Sequence, residues 1–378
     1  MIREIPIALP SLGDEEWHAV REPLASGWLT QGPKVAEFER AFSERHAVPH
    51  ALATTSCTTA LHLGLAALGV GAGDEVIVPA FTWVATANAV RYVGATPVFV
   101  DVDARSYNID PAAVAEAVTA RTRAVIPVHL FGLCADMDSV RAAVPDGVTL
   151  FEDAACAAGA AYRGRPVGGL GDLGAFSFHP RKSITTGEGG MLTTHDGDLA
   201  ARAERLRNHG AAVSEEARHA GSAPYLMPEF DELGFNYRMT DLQAAVGLVQ
   251  LGKLDSFISE RAEWARWYAD ELGDIDWLSP PTIPAGYEHG WQSFVAVVGA
   301  DAPSPRNELM SRLQDRGVST RPGTHCVPAL GLYRDAEGSS PARYPVALEL
   351  EHSSLALPLH NRMTEADYAH VISCLRDL

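Results

Sequence analysis

The sequence predicts an α/β protein: a large domain built on a mostly parallel sheet, followed by a small C-terminal α+β domain. Three observations predict it. Between about residues 50 and 195, short Val/Ile/Leu-rich runs alternate with helical patterns, which is how a parallel sheet covered on both faces reads. Beyond residue 239 comes one long helical stretch and then a different, mixed pattern. The chain's 378 residues exceed what a single core usually spans. The boundary is placed at 250/251. Residues 1–250 form the large domain and 251–378 the small one, which includes most of the linking helix.

The elements follow in order. ALATTS (51–56) reads as a strand and CTTALHLGLAALG (57–69) as a helix with Leu61, Leu65 and Leu68 on one face. DEVIVPA (74–80) is a strand, TWVATANAVRYVG (82–94) a helix and TPVFVDV (96–102) a strand. Asp110 and Pro111 open a further helix as N-cap and first helical residue. RAVIPVHLFG (123–132) and VTLFEDAA (148–155) are strands. AFSFHP (175–180) and GGMLTT (189–194) are two short strands around a Gly-rich turn. DLAARAERLRNHG (198–210) is helical, residues 211–232 form a long polar loop, and residues 240–272 form the long helix. WQSFVAVV (strand), PRNELMSRLQDRG (helix), VSTRP (strand) and TEADYAHVISCLRDL (helix) make up the small domain. Thr364 and Asp367 have capping-box spacing.

Composition narrows the function. The hydrophobic fraction is 47%, the charged fraction 21% and the formal net charge -18. So acidic a surface repels nucleic acid, which sets DNA and RNA binding aside. No apolar run approaches the roughly 18 residues of a membrane span, and the opening MIREIPIALPSLGDEEW lacks the pattern of a secretory signal. The five cysteines include no CxxC. A reduced, cytoplasmic setting is expected rather than a disulfide framework or a zinc site. HExxH is absent, so no metal is expected.

Several residues could carry chemistry. Lys182 follows the apolar strand 175–178 and precedes SITTGEGG. A lone lysine is ordinarily a solvated surface residue, but ligands of open α/β sheets bind at the carboxyl ends of strands. Desolvation there lowers an amine's pKa and frees it to attack an aldehyde. Asp153 ends the strand LFEDAA. Taken alone it reads first as a cap of the next element. Together with a strand-end lysine it supplies what pyridoxal phosphate (PLP) requires, a carboxylate that keeps the pyridine nitrogen protonated. Thr54, Thr55, Ser56, Cys57, Thr58 and Thr59 lie between a strand and a helix, where phosphate binds. N-capping explains one of these hydroxyls but not several. Ser177 is either another oxygen contact or an ordinary strand serine. Trp83 is either core or a stacking partner for a flat ring. Asn236, in GFNYRM, is either a helix-entry residue or a phosphate contact. His129 reads as a structural histidine.

Taken in order, these segments resemble the DegT/StrS-type sugar aminotransferases of PLP fold type I. The resemblance covers nearly the whole chain. It runs through SGWLTQGPKVAEFE (26–39), residues 54–90, GATPVFVDVD (94–103), FEDAACAAGA (151–160), GDLGAFSFHPRKSITTGEGG (171–190), RNHG (207–210), GFNYRMTDLQAAVGLVQL (234–251) and LALPLH (355–360). It implies an aspartate-aminotransferase-like fold with a seven-stranded sheet and PLP bound to Lys182 as a Schiff base. Asp153 would pair with the pyridinium, Trp83 would stack on the ring, and Thr58, Thr59 and Ser177 would hold the phosphate. Asn236 would reach the phosphate of a neighbouring subunit, making a homodimer with shared sites. SGWLTQGP would form the substrate entrance.

The same resemblance implies transfer of an amine from an amino acid, L-glutamate, to a keto-sugar carried on a nucleotide. The chain departs from the family at four points. Cys156 stands where a glutamine is usual and Ala158 where a histidine is frequent; Cys57 replaces a glycine and Thr59 an alanine. Cys57 and Cys156 are thereby placed beside the cofactor, and a thiol is a weaker donor than an amide. Three alternatives stand beside this reading. One is a keto-cyclitol or non-sugar ketone acceptor. Another is a PLP-dependent sugar dehydratase, which carries His where this chain has Lys182. The third is a non-catalytic binding protein, which would not need Lys182 and Asp153.

Overall fold

The structure, a computed structural model, describes residues 4–211, 227, 229–334 and 340–378. The loop expected at 211–232 lies largely outside the described residues. Seven strands form the central sheet: β1 (His50–Thr54), β2 (Glu75–Pro79), β3 (Thr96–Val100), β4 (Thr122–Val125), β5 (Thr149–Asp153), β6 (Leu173–Ser177) and β7 (Gly190–Thr194), in the order β1-β7-β6-β5-β4-β2-β3. Neighbours from β6 to β3 pair parallel, and β7 runs antiparallel to both β1 and β6. The mostly parallel seven-stranded sheet implied by the resemblance is therefore present.

Alternation along the strands divides the core between two faces. Val76, Val78, Ala175 and Leu192 pack in one apolar cluster, and Ile77, Phe176 and Met191 in another. Burial on both faces explains why these strands read as continuous apolar runs. A third cluster gathers Tyr268, Phe294, Leu309 and Tyr368 of the C-terminal part of the chain with Ile5 from its start. There a smaller antiparallel sheet forms from Leu278–Ser279, Phe294–Val298 and Ser354–Leu357. The expected strand VSTRP is corrected. Its residues make only isolated bridges, Val318 to Ile5 and Arg321 to Ala356. Pro322 has no N–H to extend a ladder. The expected strand 123–132 is also shorter, ending at Val125; Pro127 interrupts it and Phe131 adopts φ 59°.

Four helices position the site: α1 (Pro33–His46), α2 (Cys57–Ala67), α3 (Val84–Tyr92) and α4 (Asp241–Glu271). The expected boundary at 250/251 falls inside α4, which is one unbroken element. Thr240 caps it, its hydroxyl accepting the Gln243 N–H in a capping box. From α4's first turn, Asp241 accepts the N–H groups of Gly32 (2.9 Å), Lys34 (3.1 Å) and Val35 (3.0 Å). Those are donors at the start of α1, which have no partner within their own helix. The segment SGWLTQGP, expected to form the substrate entrance, is thus tied to the linking helix by a carboxylate more than two hundred residues away in sequence.

Candidate cofactor and catalytic site

The strand ends assemble the site. Asp153 terminates β5 and is buried. Its backbone is fixed by its N–H to Pro127 O (2.9 Å) and by the His129 N–H to its own carbonyl (3.0 Å). One carboxylate oxygen accepts the Thr86 hydroxyl at 2.8 Å and the other the Ala155 N–H at 3.2 Å. The Cys57 thiol approaches the latter at 3.9 Å. Among the described residues the Asp153 carboxylate makes no ion pair. Burial raises its pKa, opposed by the Thr86 and Ala155 hydrogen bonds. The Lys182 ammonium also favours the charged form from beyond ion-pair distance, and a buried carboxylate with no cation in direct contact is costly, a contact that a pyridinium would supply. In this respect the residues fit PLP.

Lys182 lies beyond β6 in a loop braced from several sides. Thr185 Oγ1 and the Thr186 N–H both bond to Phe178 O (2.8 and 3.0 Å), and the Phe178 N–H bonds to Gly189 O. Gln243 donates to Glu188 O, and Gln250 accepts the Thr185 N–H. Gln292, from the C-terminal part, donates to Arg181 O at 2.9 Å. The chain has three lysines, Lys34, Lys182 and Lys253. Lys34 pairs with Glu22 and Glu37, and Lys253 with Glu15 and Glu16. Lys182 makes no such pair among the described residues; its Nζ meets the Cys156 thiol at 3.1 Å. Burial works against its ammonium form, but Cys156, Cys57 and Asp153 outweigh it and hold the pKa above the ordinary value.

The remaining expected residues lie around this pair. Ser56 caps α2, placing Cys57 and Thr58 in its first turn. Gly190, the first residue of β7, packs against the Ser56–Cys57 peptide so closely that a Cβ would lie 2.4 Å from Ser56 C. The structure assigns Thr59's side chain to the capping box. Its Oγ1 donates to Ser56 O (2.8 Å) and accepts the Ser56 N–H (3.0 Å). No such commitment holds Thr58 among the described residues. Ser177 ends β6 with its hydroxyl 3.4 Å from the His179 N–H.

Trp83 precedes α3 and is 56% exposed, not core, with its ring 5.7 Å from that of His325. The short strand His325–Cys326 brings that histidine there by pairing with Phe81–Thr82. Asn236 is exposed. Its neighbour Tyr237 accepts the Thr55 N–H at 3.1 Å, so GFNYRM runs beside the 54–59 loop. His129 is structural: it takes the Ala135 N–H on Nδ1 and donates from Nε2 to the buried Glu152 (2.8 Å). Glu152 also accepts the N–H groups of Gly168, Leu170 and Gly171.

Sequence reasoning missed Thr86 and Asp241. A threonine inside a helical pattern and an aspartate in a first turn look ordinary until the chain folds. It also missed the scarcity of lysine, which a count would have shown.

The mostly parallel seven-stranded sheet, with Asp153 and Lys182 beyond the carboxyl ends of neighbouring strands, has the architecture of a PLP enzyme of fold type I. The family model for the DegT/DnrJ/EryC1/StrS aminotransferase family matches residues 10–376, and the chain belongs to that family. It is 39% identical over 379 residues to spore coat polysaccharide biosynthesis protein SpsC of Bacillus subtilis, covering 99% of this chain and 97% of that one. It is also 39% identical to GDP-perosamine synthase of Caulobacter vibrioides, covering 98% and 97%. The PLP form of the putative sugar aminotransferase Spr1654 from Streptococcus pneumoniae superimposes with a TM-score of 0.92 at 28% identity, covering 99% and 98%. The protein is a PLP-dependent aminotransferase. No helix among the described residues is long and apolar enough to cross a membrane.

Proposed function

We propose that this aminotransferase carries an amino group from L-glutamate to a nucleotide-linked keto-sugar, acting in the cytoplasm as a homodimer with shared sites. The observation that supports the site assignment is Asp153, a buried carboxylate that makes no ion pair among the described residues, in the electrostatic reach of Lys182, the one lysine that no carboxylate pairs with among the described residues. The sugar class is supported by the relatives, one named for a polysaccharide and one for a GDP-linked sugar. Five free cysteines fit a reducing compartment.

Bound PLP supplies the aldehyde that accepts the amine and the ring that takes up the electrons. The chain's own residues do the rest. Lys182 would hold the cofactor through its amine and, once the donor's amine has displaced it, its freed Nζ would take a proton from one carbon and return it to another. Asp153 keeps the ring nitrogen protonated. Trp83 covers one ring face and leaves one direction of approach. The first turn of α2, with Cys57, Thr58 and Thr59, would receive the phosphate together with Ser177. Asn236, exposed on this protomer, is suited to reach the phosphate of the second. Cys156 takes the place beside the cofactor where relatives place an amide.

Reconstituted protein should show the visible absorbance of lysine-bound PLP. L-Glutamate should bleach that band, and keto-sugars added one at a time should identify the acceptor by restoring it. A band that no keto-sugar restores, but a keto-cyclitol does, would overturn the sugar assignment.

A further inference from the structure

The carboxylate expected to face the ring nitrogen does not stand alone. Thr86 lies in the first turn of α3, its N–H bonded to Trp83 O at 3.2 Å, so one helical turn carries both Trp83 and Thr86. The Thr86 hydroxyl is 2.8 Å from Asp153 Oδ2 across 67 residues of sequence, and both side chains are buried. Behind it, Thr82 Oγ1 is 3.3 Å from Thr86 Oγ1. An ionised carboxylate only accepts. The Thr86 proton therefore points to Asp153, and the Thr82 proton points to Thr86. The chain of donors runs one way, Thr82 to Thr86 to Asp153, and ends on the acid.

We propose that Thr86 is a positioning residue that fixes the Asp153 carboxylate and holds it ionised, with Thr82 orienting the Thr86 hydroxyl. The inference rests on the reading that Asp153 faces the cofactor's ring nitrogen. The physical need is plain. Burial favours the neutral acid, and a neutral carboxyl cannot keep a ring nitrogen protonated. A hydrogen bond donated to the charged form opposes that tendency and is among the stronger ones. Thr82 faces His325 across the short two-stranded ladder, so the donor chain is anchored to the C-terminal part of the protein.

The test compares Thr86→Val, which keeps the shape, with Thr86→Ser, which keeps the hydroxyl, in reconstituted enzyme. The readouts are PLP affinity, the pH dependence of the visible spectrum, and kcat against KM. Thr86→Val should weaken PLP binding and lower kcat by about tenfold, leave the acceptor KM within about threefold of the starting value, and move the acid limb of the pH profile upward. Thr86→Ser should restore all three. A valine variant that tracks the unaltered enzyme, or a serine variant that fails with it, would overturn the inference. If Thr86→Val does not fold, Thr82→Val carries the test: a smaller shift in the same direction is expected, and no shift overturns it. Unaltered protein that binds no PLP would overturn the functional reading and this inference together, whereas normal binding with an indifferent Thr86 overturns the inference alone.

Discussion

The Lys182 amine sits 3.1 Å from the Cys156 thiol. Sulfur here helps hold the ammonium above its ordinary pKa against the opposing effect of burial. Removing it in Cys156→Ala leaves burial less opposed, so the amine should lose its proton more easily. Each unit of downward shift gives about tenfold more free amine at neutral pH. Apoprotein carrying this substitution should capture PLP several-fold faster at pH 7, followed by stopped-flow absorbance. Slower capture would show that the thiol helps the lysine react.

Asp153 links stability to function. Its folded-state pKa lies above the ordinary value because of burial. The folded apoprotein therefore holds the proton more tightly than the unfolded chain does. Stability gained from protonation is present at low pH and is lost as pH rises through the folded pKa. Asp153→Asn removes a buried charge whose burial cost outweighs its hydrogen bonds and the nearby Lys182 ammonium, so its apoprotein should be at least as stable as the unaltered one at pH 7. The two should converge as the pH falls. The same variant should lose transamination by two orders of magnitude or more, about 3 kcal/mol. Thermal melts across pH, set beside activity, check both halves.

Asp241 should matter through the entrance segment. It accepts three backbone N–H groups around the start of α1. Asp241→Ala should cost about 2 kcal/mol of stability, read by urea denaturation, and should raise the acceptor KM more than it lowers kcat.

Asn236 tests the shared site. Lys182→Ala and Asn236→Ala homodimers should each be impaired. In a mixed dimer, the site holding the intact lysine would draw its asparagine from the other subunit and be complete. Mixing and reassembling the two variants should therefore restore activity, whereas a contact made within one chain would give no recovery.

Much of this was legible in the sequence because it is local. Strand-end Asp153 and Lys182, the hydroxyl-rich turn before α2, and the Asp110 cap are set by neighbours a few residues away, where pattern and propensity speak directly. The unread part is non-local. The Thr86–Asp153 bond and the Asp241 clamp on α1 join residues that nothing in the chain's periodicity relates. VSTRP has strand composition, yet Val318 pairs with Ile5 near the other end of the chain, and Ser354–Leu357 takes the place in the small sheet. The capping box that Thr59 closes with Ser56 is likewise visible only in the fold.

The most direct test of the account is where PLP attaches. With only Lys34, Lys182 and Lys253 to choose from, borohydride reduction of the reconstituted enzyme followed by peptide mass spectrometry gives an unambiguous answer. The phosphopyridoxyl group is expected on the peptide containing Lys182, and its loss, with the visible band, in Lys182→Ala. Label on Lys34 or Lys253, or an unchanged band in that variant, would contradict it.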